Sequence, residues 1–278
     1  MKHPLLIVDG DSFAHRAYHA LPKSIRRANG RPGNLLTGVT SMLLRLWQAE
    51  RPRAVFVGWD TLTVPTYRHE ALPGYQAGRE FDRELLEQLD LVPGLLEASG
   101  IVCGKGAGYE ADDFLAAAVA SERASGGRAL VATSDRDAFQ LAAADVTILQ
   151  PIRGVSELAR IGPDEVRERY GVDPSQVPDF IALRGDPSDK IPGARGVGAK
   201  TAASLLGEYS SLGAMLDAGR FSAEAEALRS YRHIATLDPT APVPALPDRE
   251  PDWSAAAKAA DELGLGRLAG RLEEAASS

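Results

Sequence analysis

A chain of 278 residues that is 44% hydrophobic and 25% charged is long enough to bury a sizeable core as one large domain or two smaller ones, and its composition excludes disorder as the default. A lone cysteine, Cys103, excludes a disulfide framework or a cysteine zinc cluster and suits a reducing cytoplasm. The formal net charge of −7 speaks weakly against a polyanionic partner, but the distribution of charge decides that question.

Taken in order, Leu5-Leu6-Ile7-Val8 reads as a buried strand ended by Asp9. It is too short for a signal peptide or a membrane span, and nothing later resembles an anchor. Ala54–Asp60 and Ala129–Ala132 read as further strands, with weaker ones at Ile101–Val102 and Val146–Ile148. Helical periodicity falls between them over Leu35–Glu50, Phe81–Ser99 and Glu110–Ser125. Strands alternating with helices predict an α/β fold, a parallel sheet covered on both faces. Ligands of open parallel sheets gather beyond the carboxyl ends of the strands. Asp9, Asp60 and the pair Asp135/Asp137 all follow strands, which puts them along one sheet edge.

The densest acidic stretch is Gly108-Tyr109-Glu110-Ala111-Asp112-Asp113, which opens the apolar helix Phe114–Val119. An acidic first turn is favoured by the helix dipole, at about 0.3–1 kcal/mol per group. That accounts for one or two of these acids. Like charges about 4 Å apart repel by roughly 4 kcal/mol per pair at an effective dielectric near 20, so three together call for cations. Hard divalent ions prefer such oxygens. Each acid also has a plain reading: a turn at Asp9-Gly10-Asp11, a cap at Asp60, a near capping box at Ser134–Asp137. Capping gives no reason for acids to end three strands of one sheet.

Downstream, Asp186 and Asp189 stand three apart in Gly185–Lys190, a spacing that shares one side of a helical turn. The run Pro192–Thr201 then carries paired glycines, Arg195 and Lys200 before the helical pattern Ala202–Leu206. With the preceding helix Val177–Leu183 this reads as a helix–hairpin–helix, whose backbone N–H groups approach phosphates without reading sequence. Residues 61–83 lack apolar periodicity but interleave Tyr67, Arg68, His69, Tyr75, Arg79 and Arg83, which suits either a single-strand path or a solvated loop. Asp238–Asp252 has five prolines and reads as an extended connector. Residues 254–276 are expected to form one or two Ala/Leu-rich helices that pack on the core. The five histidines show no metal-ligand spacing.

These motifs together resemble the bacterial 5′-nuclease family, the 5′→3′ exonuclease domain of DNA polymerase I and stand-alone flap endonucleases. The resemblance covers residues 4–215. It is carried by Leu6–Gly10, Arg16–Ala20, Gly108–Asp113, Thr133–Asp137, Gly185–Asp189, and Ile191–Gly193 through Gly196–Thr201. It implies a PIN-like α/β catalytic core over residues 1–172 with an arch at 61–95, and a helical region over 173–278 with the hairpin clamp at 177–215. It further implies a structure-specific hydrolase of DNA phosphodiesters near single-strand/duplex junctions. Two or three Mg²⁺ or Mn²⁺ ions would be held by Asp9, Asp60, Glu110 and Asp112 on one side and by Asp113, Asp135, Asp137, Asp186 and Asp189 on the other. Setting those nine aside brings the remaining acids just below the 31 Lys and Arg, leaving room for a basic face.

DNA contacts are implied at Arg16, Tyr18, Tyr75, Arg79, Gly193, Arg195, Gly196, Gly198, Lys200 and Thr201, with a K⁺ ion at the hairpin. The expected partner is DNA with a 5′ flap, nick or end, RNA-primed DNA included. The chain is expected to be a cytoplasmic, nucleoid-associated monomer with a polymerase acting in trans. The arch departs from the family's Tyr-Lys-x-x-Arg at Gln76, which removes a cation; Ser134, Pro187 and Lys190 replace Gly, Ser and Asn. Two rivals stand beside this reading. One is a structure-specific DNA-binding protein without catalysis. The other is a phosphatase of the haloacid dehalogenase type, built on Asp9-x-Asp11, for which the expected lysine between Lys105 and Lys190 is missing.

Overall fold

The computed structural model describes residues 3–62, 64–78 and 80–277. Strands β1 (Leu5–Asp9), β2 (Ala54–Gly58), β3 (Val102–Gly104), β4 (Ala129–Ala132), β5 (Val146–Pro151) and β6 (Leu158–Ile161) form one sheet in the order β3-β2-β1-β4-β5-β6. The first five are parallel and β6 runs antiparallel to β5. The expected α/β class with a parallel sheet is the observed one. Strand β6 was not foreseen: Leu158-Ala159-Arg160-Ile161 is short and only partly buried, so it lacks the apolar run that marks the others.

The helices are α1 (Gly10–Ala20), α2 (Asn34–Glu50), α3 (Tyr67–Ala71), α4 (Arg83–Glu97), α5 (Ala111–Ala124), α6 (Pro163–Tyr170), α7 (Val177–Arg184), α8 (Ala199–Tyr209), α9 (Leu212–Asp217), α10 (Ala225–Ala235), α11 (Trp253–Glu262) and α12 (Gly266–Ala276). Successive residues of β1 point to opposite faces. Leu5 and Ile7 pack with Phe114 and Leu115 of α5, in one apolar cluster with Phe180 of α7, Leu206 of α8 and Leu228 of α10. Leu6 and Val8 belong to a second cluster with Phe13 of α1, Leu36 of α2, Leu89 of α4, Trp253 of α11 and Leu268 of α12. Burial on both faces explains why the strands read as unbroken apolar runs.

Residues 253–276 form two helices, α11 and α12, and both pack on the core. They cross to the face opposite α7 and α8 and pack on α2 and α4. The last two helices of the region 173–278 thus complete the layer formed by α2 and α4. The amphipathic stripe of each helix was readable in sequence, while the face it covers depends on where the proline-rich connector delivers it. Among the described residues, no helix is long and apolar enough to cross a membrane.

Candidate metal centre

The strand order brings the acids together. Strands β2, β1 and β4 are neighbours, so Asp9 at the end of β1, Asp60 two residues past β2 and Asp135 three past β4 share one edge. Helix α5 opens against that edge because Gly58 lets it approach: a Cβ there would lie 2.8 Å from the Ala111 carbonyl oxygen. The turn between α7 and the hairpin closes the far side. A cleft of about 640 Å³ results, lined by Asp9, Asp60, Glu110, Asp112, Asp135, Asp137, Asp186 and Asp189, eight of the nine expected acids.

The ninth is not there. Asp113 is wholly buried, and its two oxygens accept from Nη1 and Nη2 of Arg68 at 2.8 Å each. It also accepts the N–H of Glu110 at 3.0 Å and of Asp238 at 2.9 Å. Those partners engage both oxygens, and Asp113 stands beside Arg68, outside the lining of the cleft. A further acid outside the nine, Asp11, also lines the cleft, and its carboxylate accepts the N–H of Asp60 at 2.7 Å. Its signal was its place two residues after Asp9, where helix α1 starts and turns both acids into the cleft; read alone, Asp9-Gly10-Asp11 suggested only a turn.

Each carboxylate in the cleft is aimed by its neighbours. Asp9 caps α1, accepting from Ser12 N–H at 2.9 Å, and takes the Thr133 hydroxyl at 2.6 Å. Asp60 accepts Ala111 N–H at 2.6 Å. Glu110 accepts the Thr66 hydroxyl at 2.9 Å and the Tyr75 hydroxyl at 3.0 Å. Asp135 accepts Asp137 N–H at 2.9 Å. The Asp186 backbone pairs with Ile191 at 2.8 Å in both directions, and its carboxylate accepts Ser188 N–H at 2.8 Å.

Burial pushes the Asp9 carboxyl up to about 7, with the nearby charges of Asp135 and Asp60 adding to it. Asp11, Asp112 and Asp137 are likewise raised, first by burial and then by neighbouring acids, with Arg68 partly opposing this at Asp112 and Asp137. Carboxylates that favour their protonated form for lack of a counter-charge are suited to exchange those protons for cations. Among the described residues, no three acids are closed around a single point. An open acidic cleft suits Mg²⁺, which keeps several waters and takes one or two carboxylates. The all-oxygen donor set fits Mg²⁺ or Mn²⁺ and not a thiolate-seeking metal.

The expected DNA contacts divide. Arg195, Gly196, Gly198, Lys200 and Thr201 are exposed on the hairpin, and Gly193 is half-buried. Gly193 and Gly196 hold left-handed backbone (φ 76° at both), and a Cβ on Gly193 would meet Gly185 N at 2.4 Å. Helix α8 starts at Gly198 without a side-chain cap, which leaves its first N–H groups open to an anion. Tyr18 and Tyr75, by contrast, are buried. Tyr18 donates to Asp82 at 2.6 Å and Tyr75, which lines the cleft, donates to Glu110 at 3.0 Å, so both hydroxyls brace the protein. Arg79 lies outside the described residues. Gln76 donates to Tyr75 Oη at 2.8 Å and to Asp189 at 3.2 Å, and Lys190 Nζ donates to Ala77 O. The arch turn is thus stitched to the hairpin turn.

Arg16 donates to Ser134 Oγ at 2.7 Å at the cleft. It also lines a second and larger groove, about 940 Å³, with Arg26, Arg45, Arg153, Arg267 and Arg271. No acid is among the described residues lining that groove, and Thr37 Oγ1 and Arg16 Nε are buried there without hydrogen-bond partners. The larger groove is lined by cations and the smaller one by acids. Sequence patterning did not reveal this groove, because its arginines come from five separate segments.

Family models match nearly the whole of this arrangement. Residues 4–171 match the 5′-3′ exonuclease N-terminal, resolvase-like domain, and residues 172–250 match the 5′-3′ exonuclease C-terminal SAM fold. The chain is 35% identical over 232 residues to a 5′-3′ exonuclease of Mycobacterium tuberculosis, covering 76% of this chain and 72% of that one. It is 44% identical over 218 residues to DNA polymerase I of Mycobacterium leprae, covering 78% of this chain and 24% of that protein, so it spans about a quarter of that relative's length. T5 5′-exonuclease, solved with bound zinc, superposes with a TM-score of 0.70 at 20% identity over 98% of this chain and 99% of that one, a likeness of fold.

Proposed function

The chain belongs to the 5′-3′ exonuclease family, and from that premise we propose that it is a metal-dependent, structure-specific 5′ nuclease that hydrolyses DNA phosphodiesters at single-strand/duplex junctions. The observation that carries this reading is the convergence of acids from widely separated stretches of chain on one cleft beside an exposed phosphate-binding hairpin. A DNA-binding protein without catalysis would have no use for a cleft whose buried carboxylates favour protonation in the absence of cations.

In this scheme Asp9, Asp60, Glu110 and Asp112 would hold one divalent ion and Asp135, Asp137, Asp186 and Asp189 another, directly or through water. Bound ions supply Lewis-acid activation of water and of the phosphate. The chain's own part is positional. Thr133 and Ser12 hold Asp9, and Thr66 and Tyr75 hold Glu110. The hairpin 193–201 grips one duplex backbone through exposed N–H groups, Arg195 and Lys200, with K⁺ as a further ligand there. The arginine groove, reached from the cleft through Arg16, offers a second polyanion surface. Nothing in such contacts reads bases, so selection rests on the shape of the junction.

The test is a gel comparing 5′-labelled flap, nicked and blunt DNA, and an RNA-primed strand, with Mg²⁺, Mn²⁺ or Ca²⁺. Cleavage of flap or nicked substrate within a few nucleotides of the junction, in Mg²⁺ or Mn²⁺ only, is the expected result. Junction binding in Ca²⁺ with no product in either active metal would sink the catalytic reading.

A further inference from the structure

We propose that Arg68 is a positioning residue that ties the arch to the metal-binding turn of α5, so that affinity for divalent ions depends on where the arch sits. The proposal rests on the nuclease reading above.

Arg68 sits in α3, a helix of five residues, and is 1% exposed. Its fork is bidentate on Asp113 at 2.8 Å, its Nε donates to the Ile234 carbonyl of α10 at 3.0 Å, and its Nη1 lies 3.6 Å from Glu110 Oε2. One guanidinium therefore joins arch, α5 and α10. A buried ion pair is a poor means to stability, since apolar side chains of similar volume often serve as well or better. What the pair supplies here is geometry. Asp113, held by Arg68, accepts the backbone N–H of Glu110. The Glu110 carboxylate is held in turn by Thr66 and Tyr75, residues flanking Arg68 in the arch. Both ends of Glu110 are thus fixed from the arch side, and Asp112 lies between the two residues so clamped. A displaced α3 would withdraw both hydroxyls from Glu110 at once.

Coupling of this kind is reciprocal: if the arch in place favours the ion, the ion favours the arch in place. Arg68 is not among the residues that line the cleft, but its charge reaches Glu110 at 3.6 Å and acts on Asp112 and Asp137 through space. The double variant, which removes that charge together with Asp113's, therefore isolates the positional effect.

The experiment measures Mn²⁺ affinity by calorimetry without DNA. It uses the wild type, Arg68→Lys, and the double variant Arg68→Met/Asp113→Leu, each checked by melting temperature and far-UV circular dichroism. Hydrogen exchange of residues 66–76 is followed with and without Mn²⁺. Arg68→Lys keeps the charge and loses the fork; about a fivefold weaker Mn²⁺ affinity is expected. The double variant leaves no charge unpaired, so it should fold, yet bind Mn²⁺ about tenfold more weakly. Mn²⁺ should slow exchange of 66–76 in the wild type and not in the double variant. A folded double variant with wild-type affinity would overturn the proposal, leaving Arg68 a merely structural residue. Should the double variant not fold, Arg68→Lys and Thr66→Val decide, and unchanged affinity in both would overturn it. Failure of the wild type to bind Mn²⁺ would instead sink the nuclease reading, and the proposal with it.

Discussion

Two grooves of opposite charge lie on either side of Arg16. The acidic cleft draws its carboxylates from the ends of parallel strands and the turn before the hairpin, and most are buried or half-buried. The arginine groove draws its cations from α1, α2, α12 and two connecting turns, and Arg26, Arg45, Arg153, Arg267 and Arg271 are exposed. Burial separates what the two can do. Packed, partly buried acids shift one another's protonation and invite ions. Exposed arginines keep their charge, are screened by salt, and act on a polyanion at a distance set by the Debye length. A net charge of −7 describes neither region. The division of labour we propose is chemistry in the cleft and attachment at the groove and hairpin.

The sharpest way to break that division is Asp135→Asn. It removes charge from the cleft while leaving groove and hairpin intact. Cleavage should fall by about a thousandfold, some 4 kcal/mol of transition-state stabilisation, with junction binding in Ca²⁺ unchanged within twofold. Single-turnover rates and a binding titration on one flap substrate measure both. Near-normal turnover would mean that the cleft does not do the chemistry.

Much of the cleft was legible in the sequence because its acids follow apolar runs that could only be strands, and parallel strands align their carboxyl ends. Asp112 and Asp113 mark where legibility ends. Adjacent and chemically identical, they face opposite ways from the first turn of α5, and only the arrival of Arg68 from the arch reveals which one is paired. Tyr18 and Tyr75 are ambiguous for a related reason, since a tyrosine among polar residues reads equally as a stacking ring or as a hydroxyl donor to an acid, and the structure adds the second role. Helix α6 could have been read, with Pro163 at its start and Gly171 in a left-handed cap, but lacks an apolar stripe. The arginine groove was beyond sequence reasoning, because no local pattern records that α12 folds back beside α1 and α2.

A second, intermediate effect concerns protons. The Asp9 carboxyl stands near 7 in the folded chain against an ordinary value of 3.8. A group raised on folding stabilises most below its unfolded value and loses that contribution as pH rises through the folded one. At about 1.4 kcal/mol per unit this is on the order of 4 kcal/mol, lost between pH 4 and 7 in the ion-free protein. Relative to Asp9→Asn, which cannot titrate, the wild type should therefore fall in melting temperature as pH is raised from 5 to 7.5 in a chelator. Mg²⁺ at a hundredfold its Kd should return about 2.7 kcal/mol at the upper pH. A wild type that gained on the variant with rising pH would contradict the burial argument for the cleft.

The smallest effect belongs to the groove. Arg267 is exposed on α12 and lines it, so Arg267→Ala removes one phosphate-neutralising charge with little effect on folding. If a duplex arm lies there, junction affinity should fall a few-fold at low salt, and the slope of log affinity against log salt should become shallower by about 0.9. The single-turnover rate at saturating protein should not change, since no group in the cleft has moved. The loss should be equal across base sequences, because an arginine on a phosphate carries no sequence information. A fall in the saturating rate would place the groove within the chemistry and erase the contrast with the cleft. An unchanged salt slope would show that no phosphate reaches Arg267, leaving the hairpin as the surface that holds the duplex.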